Sequence, residues 1–218
     1  GMTETSPMAT LCTPKPIIKH TLNDEQQLQL KTKQGRRPYG VELKLVNAQG
    51  QILAHDGKAF GDLMVKGAWV SDRYYGQTES ATDKDGWFDT GDIATIDKNG
   101  YMQIVDRNKD VIKSGGEWIS SVELENTVLA CQGISQAAVI GLPHEKWTER
   151  PLMLLVKDEK STVSQEDVKA FLTENIPAWW MPDAIIFVSN LPIGATGKVQ
   201  KKELREQYSS FESLTEPA

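Results

Sequence analysis

Cysteine, excess positive charge and long apolar runs are scarce in this chain. The two cysteines, Cys12 and Cys131, lie far apart and near neither a cysteine partner nor a histidine at metal-ligand spacing. A disulfide framework and a zinc site are therefore not expected, and both residues read as reduced thiols of a cytoplasmic protein. Lysine and arginine number 24 against 30 aspartates and glutamates, a net charge of -6. That deficit disfavours general nucleic-acid binding, although a local basic cluster can still hold a phosphate. No apolar run approaches the ~20 residues of a membrane span. The N-terminus has no basic-then-apolar leader.

What remains is ordinary soluble-protein composition. Of the 218 residues, 39% are hydrophobic and 25% charged, enough for one or two domains with real cores. Residues 1 to 36 are polar and irregular, with Pro7, Pro14 and Pro16 discouraging long helices. From Tyr39 the pattern becomes period two. Val41, Leu43 and Leu45 alternate with Glu42, Lys44 and Val46, and Asn47-Ala-Gln-Gly50 reads as a turn. Strand-like pieces recur at 61–65, 92–96 and 101–105, the last two joined through the Asp97-Lys-Asn-Gly100 turn. Residues 37 to 105 thus read as a small antiparallel β unit.

After Asp106 the pattern alternates between helix and strand. A helix is expected over 120–130, capped by Ser120 or Ser121. Strands are expected over 134–142, 152–158 and 184–188. Ser164 caps a helix through Leu172, with acidic residues at its positive end. A short helix over 201–208 precedes a frayed tail, 209–218. The fold class expected is α+β: a small antiparallel β subdomain, then a mobile α+β C-terminal domain.

Several strings could carry chemistry. Leu191-Pro-Ile-Gly-Ala-Thr-Gly-Lys-Val199 is a glycine loop offering the Thr196 hydroxyl and the Lys198 ammonium, a point charge that can reach a phosphate. On composition alone, a glycine turn with a surface lysine is the better reading. Gly86-Trp-Phe-Asp-Thr-Gly-Asp92 places an aspartate where it could accept hydrogen bonds from a ribose diol; as a bare turn it is unremarkable. Asp106-Arg-Asn-Lys-Asp-Val-Ile-Lys-Ser-Gly-Gly-Glu-Trp-Ile-Ser-Ser-Val-Glu-Leu-Glu125 joins a charged segment to two glycines and a helix start, a combination suited to a hinge.

Together these strings resemble the adenylate-forming, AMP-binding enzymes, most of all their fatty-acyl-CoA ligase branch. The resemblance runs from Gly1 to Tyr208, and the long 106–125 string carries little risk of chance match. It implies that Lys198 contacts the carboxylate substrate and the α-phosphate, and that Asp92 holds the ribose hydroxyls of ATP and AMP. Arg107 is implied as the companion of Asp92, against a plain alternative of a surface ion pair worth ~0–1 kcal/mol. Lys109 takes the pivot position of a hinge at 106–111, and Lys113 assists near the phosphate or thiol. Gly115 and Gly116 let the pantetheine arm of coenzyme A pass close to the backbone.

Gly1-Met-Thr-Glu-Thr5 resembles the motif in which Thr3 meets the α-phosphate and Glu4 helps to hold Mg²⁺. The family's aromatic residue before this glycine is absent, and a polar, disordered terminus is the alternative. Gly1 before Met2 reads either as a scar of tag removal or as a cut from a longer chain. Gly141-Leu-Pro-His-Glu-Lys-Trp-Thr-Glu-Arg-Pro151 and Trp179-Trp-Met-Pro-Asp183 resemble segments of the fatty-acyl-CoA ligases and of methylmercaptopropionyl-CoA ligases. His144 has no evident partner and reads as structural; the aromatic pair reads as core.

The implied arrangement is 1–105 as the end of the AMP-binding large domain, the hinge, then a C-terminal domain over 112–208. The implied reaction joins a fatty acid to coenzyme A at the expense of ATP, through an acyl-adenylate. Neither a phosphate loop nor an acyl pocket is evident, so this chain alone is expected not to adenylate. The resemblance leaves room for a homodimer of the full-length form. A methylmercaptopropionyl-type ligase, a peptide-synthetase adenylation domain without its carrier serine, luciferase-like oxidation and a non-catalytic binding module are the rivals.

Overall fold

The computed structural model describes residues 1–195 and 197–211. The chain divides into two compact units, Gly1–Asn108 and Lys109–Ala218.

In the first unit, period-two sequence becomes a four-stranded antiparallel sheet in the order β1-β2-β3-β4, comprising β1 (Val41–Val46), β2 (Phe60–Gly67), β3 (Phe88–Ile96) and β4 (Met102–Arg107). Val41, Leu43 and Leu45 turn inward as the alternation predicts, against Leu63, Val65, Ala94, Ile96 and Met102. The Asp97–Gly100 turn forms as expected. Gly100 has φ 85°, and Asp97 Oδ1 accepts the backbone N–H groups of Asn99 and Tyr101.

The opening segment is more regular than its prolines suggest. Residues Pro16–Lys19 form α1 and Asp24–Thr32 form α2. Asn23 caps α2 by accepting from Gln26 N at 2.8 Å, and Gln26 reciprocates. Only Leu30 of α2 is buried, so the helix shows no apolar stripe; its capping box and acidic first turn were the legible signals. Tyr101, 1% exposed, ties this segment down by donating to Thr13 O and accepting from Lys15 N.

The second unit is a five-stranded sheet with helices: β5 (Ile112–Ser114), β6 (Glu117–Ile119), α3 (Ser121–Leu129), β7 (Ile134–His144), β8 (Thr148–Lys157), α4 (Gln165–Asn175), β9 (Ala184–Phe187) and α5 (Lys201–Gln207). Strands run β6-β5-β8-β7, and β9 joins β8 in parallel. The apolar runs of β7 and β8 feed two faces. Val139, Met153 and Leu155 pack under α3 and α4, whereas Ala138, Ile140, Leu152 and Leu154 pack with Leu191 and Leu204. A sheet covered on both sides needs such continuous apolar strands. The fold is α+β, as the sequence pattern indicated.

Two local features go beyond the sequence reading. Gly115 and Gly116 do not lead straight into a helix but turn a hairpin between β5 and β6, with φ 61° and 87°; positive φ at both central residues matches the right-handed twist of the strands. The Pro143–Pro151 string takes β7 and β8 past their expected bounds at 142 and 152, to His144 and from Thr148. It is the end of the β7–β8 hairpin, paired from Leu142↔Arg150 to His144↔Thr148.

Candidate functional site

In the first unit, three residues of β3, Thr90 to Asp92, face the single Leu63 of β2. Thr90 Oγ1 donates to Leu63 O at 2.9 Å and accepts from Asp92 N. Gly91 adopts φ 68°, which a β-carbon would resist. This local turn sets Asp92 opposite Arg107 of β4. A bulge at Val105 matters here. Without the register shift between Ile93 and Ala94, Asp106 would take Arg107's place and two carboxylates would face each other. With it, Arg107 Nε meets Asp92 Oδ1 at 2.8 Å. The carboxylate is buried and the guanidinium half-exposed, 13% against 53%. As a stabilising contact such a pair is worth about 0–1 kcal/mol. As recognition chemistry it sets an acceptor beside a donor fork.

Thr3 and Glu4 lie in an ordered 3₁₀ turn, Thr3–Thr5, rather than a disordered terminus. The buried Thr5 hydroxyl donates to the backbone oxygens of Met2 and Pro7. Glu4 Oε1 accepts from the Tyr74 hydroxyl at 2.9 Å, and that carboxylate raises the Tyr74 pKa above its ordinary value. Thr3 is exposed. Among the described residues, no group of three or more His, Cys, Asp or Glu side chains could hold a metal. A single carboxylate fits Mg²⁺ only in the manner of a nucleotide complex, where phosphates and waters supply most ligands.

The expected hinge, 106–111, is bonded from two directions. Asp106 and Arg107 belong to β4, Asn108 N donates to Gly91 O at 2.9 Å, and Asn108 Nδ2 donates to Asp62. From Lys109 on, the bonds run to the second unit. Arg205 of α5 donates to Lys109 O and pairs with Asp110. Lys109 itself is exposed.

Lys198 is exposed on a small loop. Ile193 bridges Val199, and Gly194 N donates to Lys198 O at 2.8 Å. Thr196 lies outside the described residues. Buried Leu191 anchors one end of this loop. Lys201 anchors the other, with its ammonium 2.7 Å from both Glu125 Oε1 and Ser121 Oγ on α3.

Lys113 is exposed on β5, and its backbone N–H donates to Glu149 Oε2 at 2.8 Å. Gly115 and Gly116 are exposed too, but differ. A β-carbon on Gly115 would stand 2.8 Å from Trp147 Cε3, whereas one on Gly116 would meet nothing within 4 Å. Gly115 borders a cleft of about 850 Å³ lined also by Ser114, His144, Trp147, Arg150, Trp179 and Asp183. His144 Nδ1 accepts from Lys146 N and Trp147 N, leaving the ring proton on Nε2. It therefore shapes the hairpin end, and its partners are local backbone. Trp179, expected in the core, is 46% exposed on the cleft, while Trp180 packs against the core.

Arg150 and Asp183 join across this cleft, 33 residues apart in sequence. The strings containing them were visible as markers, but their meeting was not.

Residues 123–198 match the family model of the AMP-binding enzyme C-terminal domain. Over 95% of its length the chain is 53% identical to a 3-methylmercaptopropionyl-CoA ligase of Ruegeria pomeroyi. Over 97% it is 49% identical to a medium-chain-fatty-acid–CoA ligase of Ectopseudomonas oleovorans. It spans 38% of the length of these curated relatives. ATP-bound MatB from Rhodopseudomonas palustris superposes with a TM-score of 0.78 at 32% identity, over 96% of this chain and 40% of that one. The o-succinylbenzoate CoA synthetase of Bacillus subtilis, in complex with its acyl-adenylate, gives 0.79 at 27%, over 94% of this chain and 40% of that one. The chain belongs to the adenylate-forming, AMP-binding enzymes and carries their C-terminal domain.

Proposed function

We propose that this chain is part of an ATP-dependent acyl-CoA ligase acting on a fatty acid in the cytoplasm. The observation that carries the ligase reading is 53% identity to a 3-methylmercaptopropionyl-CoA ligase across 95% of the chain, and the fatty-acid substrate draws on 49% identity to a medium-chain-fatty-acid–CoA ligase across 97%. The geometry supports it, with a carboxylate–guanidinium pair in one unit and an exposed lysine loop and aromatic cleft in the other.

In the first half-reaction a carboxylate oxygen attacks the α-phosphorus of ATP. The bond to the bridging oxygen breaks and pyrophosphate leaves. Asp92 accepts hydrogen bonds from the ribose hydroxyls and Arg107 steadies the ribose or phosphate. Lys198 brings a cation to the carboxylate and α-phosphate, where negative charge accumulates. Thr3 donates to the α-phosphate. Glu4 would be this chain's ligand to Mg²⁺, which would supply positive charge against that of the phosphates.

In the second half-reaction the thiolate of coenzyme A attacks the acyl carbon and AMP leaves. Lys109 is the pivot that exchanges the Lys198 loop for the Gly115–Gly116 turn, so one nucleotide site serves two chemistries. Lys113 assists at the phosphate or thiol. The aromatic cleft beside Gly115 takes the coenzyme A arm. A second reading, 3-methylmercaptopropionate as the acid, draws on the 53% and 51% identities to two such ligases.

The test joins this chain to the remaining N-terminal portion of the Ruegeria pomeroyi ligase. Expected is release of AMP and formation of a coenzyme A thioester, dependent on ATP and a medium-chain or methylthio carboxylate. The 218-residue chain alone is expected to catalyse no carboxylate-dependent ATP–pyrophosphate exchange. A folded hybrid inert with both acids sinks the reading.

A further inference from the structure

Arg150 is the most heavily bonded side chain of the cleft. It stands on β8 opposite Leu142. Its Nε donates to Asp183 Oδ1 at 2.7 Å. Its Nη1 donates to Ser114 Oγ at 3.1 Å and to Trp179 O at 3.0 Å. Its Nη2 donates to Met181 O at 2.7 Å. One planar fork thus spans two walls. Ser114 immediately precedes the Gly115–Gly116 turn, and 179–183 leads from the 3₁₀ turn Ala178–Trp180 into β9. Between these walls lies the cleft.

The two walls have little else in common. The β5–β8 pairing is the single register Ser114↔Thr148, and β9 pairs with β8 only from Leu152↔Ala184 onward. Residues 179–182 therefore precede the ladder, and the turn follows a strand of three residues. Gly115 N donates to Trp147 O at 2.8 Å and Asp183 N to Pro151 O at 3.0 Å, one backbone bond for each wall, and two carbonyls, one hydroxyl and one carboxylate converge on Arg150 to link the two. Both Arg150 and Asp183 are mostly withdrawn from water, at 15% and 21% side-chain exposure, which strengthens the pair relative to a surface one.

We propose that Arg150 is the positioning residue of the thioester half-reaction. It holds the glycine turn and the Trp179 segment at the separation that admits coenzyme A, without touching the reacting atoms. This rests on reading the cleft as the coenzyme A site. A lysine can keep the charge but cannot reproduce four directed contacts, because its ammonium is a point donor on a flexible stem. Arg150→Lys is therefore the informative variant. Asp183→Asn is the second, since it removes the charge partner and keeps the shape.

The experiment uses the 218-residue chain labelled with fluorotryptophan. Fluorine NMR reports on Trp147 and Trp179 as the cleft walls, with Trp69 and Trp87 of the first unit as internal references. Coenzyme A itself is then titrated by calorimetry. Arg150→Lys is expected to move the Trp147 and Trp179 resonances and leave the references in place. It should weaken coenzyme A binding by about tenfold, the effect of losing one to two net hydrogen bonds. Asp183→Asn should act in the same direction and less strongly. Unmoved Trp147 and Trp179 resonances in Arg150→Lys overturn the positioning role, as does coenzyme A affinity within about twofold of the parent. A parent chain that binds no coenzyme A overturns the reading of the cleft and the proposal's ligand with it. The fluorine spectra still decide separately whether Arg150 sets the walls.

Discussion

Gly115 and Gly116 look alike in sequence, yet the structure predicts different costs for replacing each with alanine. Both have left-handed backbones, with φ 61° and 87°, so either substitution costs about 1–2 kcal/mol in conformational strain. At Gly116 nothing lies within 4 Å of the new methyl group, so the strain is the whole penalty. At Gly115 the methyl group would stand 2.8 Å from Trp147 Cε3 and 3.2 Å from Cζ3, and overpacking of this kind adds about 1–3 kcal/mol. Trp147 is 40% exposed, so the indole can swing outward and the added cost falls toward the low end. The expected totals are about 1–2 kcal/mol for Gly116→Ala and about 2–4 kcal/mol for Gly115→Ala. Urea denaturation followed by tryptophan fluorescence measures both. A background with Trp69 and Trp87 replaced by phenylalanine confines the signal to the second unit. Equal losses for the two variants would refute the argument, because they would mean that the indole does not press on Gly115.

Three further outcomes are expected. In the joined enzyme, Lys198→Ala should slow acyl-adenylate formation by about 10²–10³-fold and cost thioester formation from supplied acyl-adenylate far less; equal losses in the two half-reactions contradict the assigned role. Burial works to raise the Asp97 pKa, but the Lys33 ammonium at 2.8 Å and the backbone N–H groups of Tyr101 and Asn99 outweigh it, and the carboxyl sits below its ordinary value. Its stabilisation is therefore complete above the unfolded value of ~3.9 and is lost as pH falls through the lower folded value. Asp97→Asn should flatten the fall in Tm below about pH 4, and an unchanged slope would remove Asp97 from the account. Ser164 Oγ accepts from Asp167 N at 3.1 Å as the cap of α4, so Ser164→Ala should cost about 1 kcal/mol by urea titration, with no loss counting against the cap.

Local signals carried over into the structure well. Alternation at Val41 to Val46 became β1, the Asn99-Gly100 turn became the β3–β4 connection, and Ser120 and Ser164 became helix caps. Each depends on neighbours within four or five residues. Signals without apolar periodicity were less legible. Helix α2 buries one residue and is written in its Asn23–Gln26 box and acidic first turn. The β5–β6 hairpin consists of two three-residue strands, too short for alternation to register.

The candidate site divides along the same line. By itself the sequence determined which residue types are on hand: an aspartate after a Thr-Gly turn, a lysine in a glycine loop, two adjacent glycines, and the strings that place the chain in its family. Tertiary structure decided which of them meet. The bulge at Val105 puts Arg107, not Asp106, opposite Asp92, and the path of β8 brings Arg150 to Ser114, Trp179, Met181 and Asp183. Those contacts depend on strand register and on segments tens of residues apart packing on one sheet, and neither is encoded in any short window of the chain.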